Sequence, residues 1–143
     1  MKVEEPAYVV IDTNVLISAG LLPNSQTAKV LVVALEHFVL VQNPMTWAEL
    51  QKKITLPKFD KYFGDDGRLR FLARLAQNAK FLEPGSTAIE CRDLKDNMFL
   101  ALAVDANAQA IVSGDAELKD MSSHKGIEIY SPTNFLSRFA QLL

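Results

Sequence analysis

Cysteine is nearly missing from this chain. Cys91 is the only one in 143 residues, so neither an intrachain disulfide nor a cysteine-rich metal site can form. Histidine is almost as scarce: His37 closes an apolar helical stretch and His124 sits in the polar run SSHKG, so neither is poised as the base of a Ser or Cys hydrolase. No stretch approaches 18 uninterrupted apolar residues. MKVEEPA carries two acids and no apolar core, so no signal peptide is expected, and the expected setting is cytoplasmic, reducing and away from membranes. The stretch ISAGLLPNS lacks the G-x-G-x-x-G that would cradle a dinucleotide after a first strand. Asp12 is followed by Thr13 and Asn14, without the second acid two places on that an aspartyl-phosphate phosphatase would carry.

What remains is ordinary globular material, 49% hydrophobic and 22% charged. A chain of this length buries roughly 70 per cent of its unfolded surface in one core. No linker, repeat or low-complexity tract divides it, so a single domain over 1–143 with a short leader at 1–7 is expected. The formal net charge of −2 hides a skew. From Lys52 to Arg74 there are seven basic residues (Lys52, Lys53, Lys58, Lys61, Arg68, Arg70 and Arg74) against Asp60, Asp65 and Asp66. Such a segment on an acidic body is a candidate phosphate-facing surface, or simply a set of solvated helices.

Short apolar runs alternate with helical patterns. YVVI, FVLVQ, KFLEP, QAIVSG and GIEIY read as strands. SQTAKVLVVALEH reads as a helix opened by Ser25, and Asn43 followed by Pro44 opens another through MTWAELQKKI. LPKFDKYF and DDGRLRFLARLAQNA suggest two more helical pieces. NMFLALAVDANA is apolar nearly all round and is expected to pack on more than one side, while SPTNFLSRFAQLL closes the chain as a proline-initiated helix. Strands alternating with helices imply an α/β fold, a parallel sheet with helices on both faces.

In such a sheet ligands bind beyond the carboxyl ends of the strands. Asp12 lies at one such end and Asp115 just past another, so neighbouring strands would bring the two carboxylates face to face. At about 4 Å they would repel by roughly 4 kcal/mol at an effective dielectric of 20, and a cation between them would relieve this. Asp96, entering NMFLALA, and Glu49, in the helix begun by Asn43, are candidates for the same edge. Converging carboxylates without cysteine or a plausible histidine ligand select hard cations, Mg²⁺ or Mn²⁺. Duller roles compete: Asp93, Asp96 and Asp115 are credible helix caps, and Glu49 has Lys53 at i+4 for a surface ion pair, away from the face shared by Trp47, Leu50 and Ile54. Asp12 resists such a reading, because ending a buried strand on an acid is costly without compensation.

VVIDTNVLISA, the helix bearing WAEL, ITLPKF, CRDLKDNMFLALA and AIVSGDAEL together resemble, in order and spacing, the PIN-domain family, in particular its bacterial branch of toxin components of toxin–antitoxin pairs. The resemblance runs from about Tyr8 to Phe135. It implies a three-layer α/β/α sandwich with a central parallel sheet, and a metal-dependent ribonuclease holding one or two Mg²⁺ or Mn²⁺ ions. The family's four acids fall on Asp12, Glu49, Asp96 and Asp115. Asn14 and Ser113 match supporting polar positions and Asp93 a further acid, with Thr13 able to orient ligands or water. Where the branch tends to read Asp-Pro-Asp-Asp, this chain has Asp93, Leu94, Lys95 and Asp96. RNA would lie along Lys52, Lys53, Lys58, Lys61 and Arg68. An antitoxin partner is implied as well, and the apolar FLSRFAQLL is a candidate homodimer surface. The competing reading is a PIN-like module that binds RNA or protein without cutting.

Overall fold

The computed structural model describes residues 7–84, 94–115, 118, 123–124 and 126–142. β1 (Tyr8–Ile11) leads directly into α1 (Thr13–Leu21), and α2 (Gln26–His37) returns to β2 (Val39–Gln42). α3 (Pro44–Ile54), α4 (Asp65–Asn78) and β3 (Ala79–Phe81) follow, then α5 (Leu94–Ala106), β4 (Ala110–Val112), β5 (Ser123–His124), β6 (Ile127–Tyr130) and α6 (Pro132–Arg138). The strands form one sheet in the order β3-β2-β1-β4-β6-β5, of which the first five are mutually parallel and β5 runs antiparallel at the edge.

Alternation along the strands divides the core into two layers. Val9, Ile11, Leu40 and Val112 face the side covered by α1, α2, α3, α4 and α6, where Leu16, Val30, Leu50, Leu75 and Phe135 meet them. Val10, Val41 and Ile111 face the other side, covered by α5 through Phe99, Leu102 and Ala103. This is the expected α/β/α sandwich. Phe99 to Ala103 are all buried, so α5 is enclosed around most of its circumference, as its unbroken apolar pattern requires.

Helix starts follow local capping chemistry. Ser25 accepts from Ala28 N–H at the head of α2 and Ser131 from Asn134 N–H ahead of Pro132. Asn43 and Thr46 form a reciprocal capping box at α3, each side chain accepting the other's backbone N–H at 2.9 and 3.0 Å.

Three expectations change. LPKFDKYF supplies only a single 3₁₀ turn, Pro57–Phe59, because Pro57 drives Leu56 to an extended conformation (ψ 138°) and ends the helix before it. Part of the SSHKG loop becomes β5, paired with β6 through a tight reversal in which Gly126 takes φ 81°, a value glycine adopts without a Cβ clash. Within FLSRFAQLL the two rings turn inward: Phe135 and Phe139 pack with Phe38 and Tyr130 at ring distances of 4.9–6.0 Å and so serve the core. Residues 1–6 of the expected leader, and Cys91, lie outside the described residues.

The capping box positions the helix that carries Glu49. Asn43→Ala is expected to lower the free energy of unfolding by about 1–2 kcal/mol in urea denaturation, while Asn43→Ser, which keeps an accepting oxygen, recovers most of it. Equal stability of Asn43→Ala and wild type would show that the box contributes nothing.

Candidate active site

Asp12 follows Ile11 without a spacer, and in the register Ile11 lies opposite Val112 of the neighbouring strand. The next residue of each chain segment, Asp12 and Ser113, therefore leaves the sheet at the same point. Asp12 N–H donates to Val112 O at 3.0 Å and Ser113 N–H to Tyr130 O at 2.9 Å, which fixes both backbones.

Asp12 is only 7% exposed. Its Oδ1 caps α1 by accepting from Val15 N–H at 2.9 Å, and its Oδ2 accepts the Ser113 hydroxyl. Ser113 Oγ in turn accepts the Asp115 N–H at 2.9 Å, folding the chain so that Asp115 approaches Asp12. A side chain that sequence offered as a support thus links both acids. Burial is the largest influence on Asp12 and pushes its carboxyl above the ordinary value; hydrogen bonds from Ser113, Val15 and Gly114 oppose that, and the charge of Asp115 adds to it. Among the described residues no cationic side chain forms an ion pair with Asp12.

These groups open onto a cavity of about 500 Å³ whose lining includes Asp12, Thr13, Asn14, Glu49, Lys53 and Asp115. α3 presents two faces there. Leu50 and Ile54 are fully buried in the core, while Glu49 and Lys53, one turn apart, point to the cavity. Glu49 Oε2 accepts the Thr13 hydroxyl at 2.8 Å and Oε1 meets Lys53 Nζ at 3.1 Å. The expected i+4 pair is therefore real, yet it belongs to the cavity wall. Asn14 is exposed at the rim.

Ser18 and Thr27 also line the cavity and were missed by sequence reasoning; Thr27 Oγ1 donates to Ser18 Oγ at 3.0 Å. Ser18 lies one helical turn beyond Asn14, a spacing that pointed to it; nothing local pointed to Thr27. Asp96 belongs to α5 by its backbone, but its side chain, like all of Asp93, lies outside what is described. Among the described residues no group of three His, Cys, Asp or Glu side chains is arranged to hold a metal ion. The pair that is described nonetheless fits a hard cation: two acids whose charges oppose each other, oxygen donors only, and a buried carboxylate whose partners are all neutral.

The basic segment divides. Lys52, Lys58 and Lys61 are exposed, and the ammonium groups of Lys58 and Lys61 lie 5.1 and 5.0 Å over the rings of Phe59 and Tyr62. Arg68 is committed inside the fold. It donates from Nε to Ile54 O at 2.9 Å and pairs with Asp60 and Asp65, tying α4 to the end of α3. His37 hydrogen-bonds Leu142 O at 3.1 Å, a structural contact.

Fold and site together define an α/β protein with an acidic cleft at the carboxyl edge of a parallel sheet. The PIN domain family model matches residues 8–117, and the chain belongs to that family. It is 31% identical over 145 residues to the uncharacterized protein MJ1680 of Methanocaldococcus jannaschii, covering 94% of this chain and 93% of that one. That relative is archaeal, so the likeness is not confined to the bacterial branch. Among solved structures it resembles VapBC2 from Rickettsia felis bound to a DNA fragment from their promoter, with a TM-score of 0.61 and 12% identity over 87% of this chain and 98% of that chain. At that identity the likeness carries the fold.

Because the folded chain holds the Asp12 proton more tightly than the unfolded chain, the contribution of Asp12 to stability falls as pH rises from the ordinary carboxylate range through the raised folded value, and is level above it. In the presence of chelator, the melting temperature of Asp12→Asn is expected to gain on wild type across that window. A difference that stays constant from about pH 4 to about pH 8 would contradict the burial argument.

Proposed function

We propose that this PIN-domain chain is a Mg²⁺- or Mn²⁺-dependent ribonuclease that hydrolyses RNA phosphodiester bonds, acting in the cytoplasm as the toxin of a toxin–antitoxin pair. The observation that carries the reading is the buried Asp12 carboxylate, raised by desolvation, facing Asp115 and opening on a cavity large enough for a nucleotide phosphate. Family membership supports nuclease chemistry. The resemblance to VapBC2, a toxin–antitoxin complex, supports an antitoxin partner.

One or two ions would be held by Asp12 and Asp115 with Asp96 contributing from the head of α5, and when bound they supply an activated water and neutralise charge on the phosphate. The protein's part is placement. Ser113 and Val15 N–H orient the Asp12 oxygens, and Ser113 sets the backbone of Asp115. Lys52 on α3, Lys58 in the 3₁₀ turn and Lys61 just after it offer exposed positive charge, and half-exposed Tyr62 (49%) adds a ring face. Lysines over aromatic rings suit a single strand, whose phosphates take the charge and whose bases stack.

RNA cleavage is expected with Mg²⁺ or Mn²⁺ and not in chelator, and Asp12→Asn or Asp115→Asn should lower it by at least about 100-fold, beyond the usual effect of groups that only support a ligand. Activity surviving both substitutions would point to a contaminant or another mechanism, and RNA binding without cleavage would favour a non-catalytic module. Replacing Lys58 and Lys61 together by Glu should weaken RNA binding and flatten its salt dependence. Unchanged binding would remove this surface from the RNA path.

A further inference from the structure

Lys53 is the one basic side chain among the described residues that line the cavity. Its surroundings are built rather than accidental. Thr13, adjacent in sequence to Asp12 and 2% exposed, donates to one Glu49 oxygen, and the other Glu49 oxygen meets Lys53. Both Glu49 oxygens are thus engaged, one by a buried hydroxyl and one by an ammonium group. The pair is also sheltered: the Glu49 side chain is 14% and that of Lys53 30% exposed, unlike an ordinary surface i,i+4 pair whose partners sample many rotamers.

We infer that Lys53 grips the phosphodiester inside the cavity, and that Glu49, steadied by Thr13, positions Lys53 instead of ligating the metal ion. This deepens the ribonuclease reading and rests on it for the identity of the anion. A lysine ammonium has three N–H donors. One is directed at Glu49, leaving two for phosphate oxygens. The carboxylate restrains the flexible four-carbon stem, so the charge stands ready where a phosphate would enter, and a preset charge needs no rearrangement when negative charge builds up there. Glu49, already neutralised by Lys53, offers a divalent ion less than Asp12 does, whose described partners are all neutral. The cavity then has two functions on two elements: carboxylates at the sheet edge for the cation, and an ammonium on α3 for the anion.

The test uses a fluorescent single-stranded oligoribonucleotide, with anisotropy measured in chelator, and Mn²⁺ calorimetry without RNA. Lys53→Met is expected to weaken oligoribonucleotide binding about tenfold, the scale of one hydrogen bond to a charged group, and to reduce the salt slope by about 0.7, the value for one phosphate of a single strand. Lys53→Arg should restore most of the affinity. Glu49→Gln should keep the wild-type salt slope, lower kcat more than it changes KM, and lower Mn²⁺ affinity by less than about tenfold, the least that losing a ligand's supporting partner costs; Asp12→Asn should abolish Mn²⁺ binding. Lys53→Met binding RNA as wild type does, or Glu49→Gln losing Mn²⁺ as completely as Asp12→Asn, would overturn the inference. Wild-type protein that neither binds Mn²⁺ nor cuts RNA, yet loses oligoribonucleotide affinity in Lys53→Met, would retire the hydrolase reading and still support the grip of Lys53.

Discussion

A carboxylate buried at the end of the central strand is the constraint around which this protein is arranged. Asp12 serves two structural needs, capping α1 through Val15 N–H and receiving the Ser113 hydroxyl from the adjoining strand, yet those neutral hydrogen bonds leave its desolvation uncompensated. A cap alone does not call for a charge, since Ser25 and Asn43 cap their helices without carrying one. The acid therefore stands where a neutral cap such as serine or asparagine would avoid that desolvation cost.

The parallel sheet turns that local cost into a site. Pairing β1 with β4 sets Asp12 beside Ser113, and the Ser113 hydroxyl brings in Asp115 two residues later. Pairing β1 with β2 places the head of α3 at the same edge, so a helix whose other face fills the core with Leu50 and Ile54 presents Glu49 and Lys53 to the cavity. Thr13 joins the two sides, because the residue after the strand's last acid reaches the helix glutamate. Asp12 and Asp115 thus lie beyond strand ends while Glu49 and Lys53 pair on α3, and each element is fixed by packing on its other side.

Outside the cavity, the basic residues of Lys52–Arg74 fall into two environments. Arg68 closes the joint between α3 and α4, satisfying the Ile54 carbonyl and two aspartates, and this keeps the intervening turn in place. Lys58 and Lys61 remain at the surface over aromatic rings. Counting charges along the chain does not separate the two environments.

Local chemistry made much of this molecule legible in its sequence. Helix starts at Ser25, Asn43-Pro44 and Ser131-Pro132 depend on groups within three or four residues, and the two-residue alternation of the strands depends only on the pleat, so both were written in short stretches. That Asp12 ends a buried strand was legible for the same reason. Only the tertiary structure decided that Ser113 meets a carboxylate 101 residues earlier, that Thr13 reaches Glu49 across 36 residues, that Lys53 faces a cavity, and that Arg68 and the C-terminal phenylalanines turn inward. A side chain's local sequence sets which groups it can pair with; strand order and register set which of them come within 3 Å, and at that range hydrogen bonds and ion pairs determine what a charge is for.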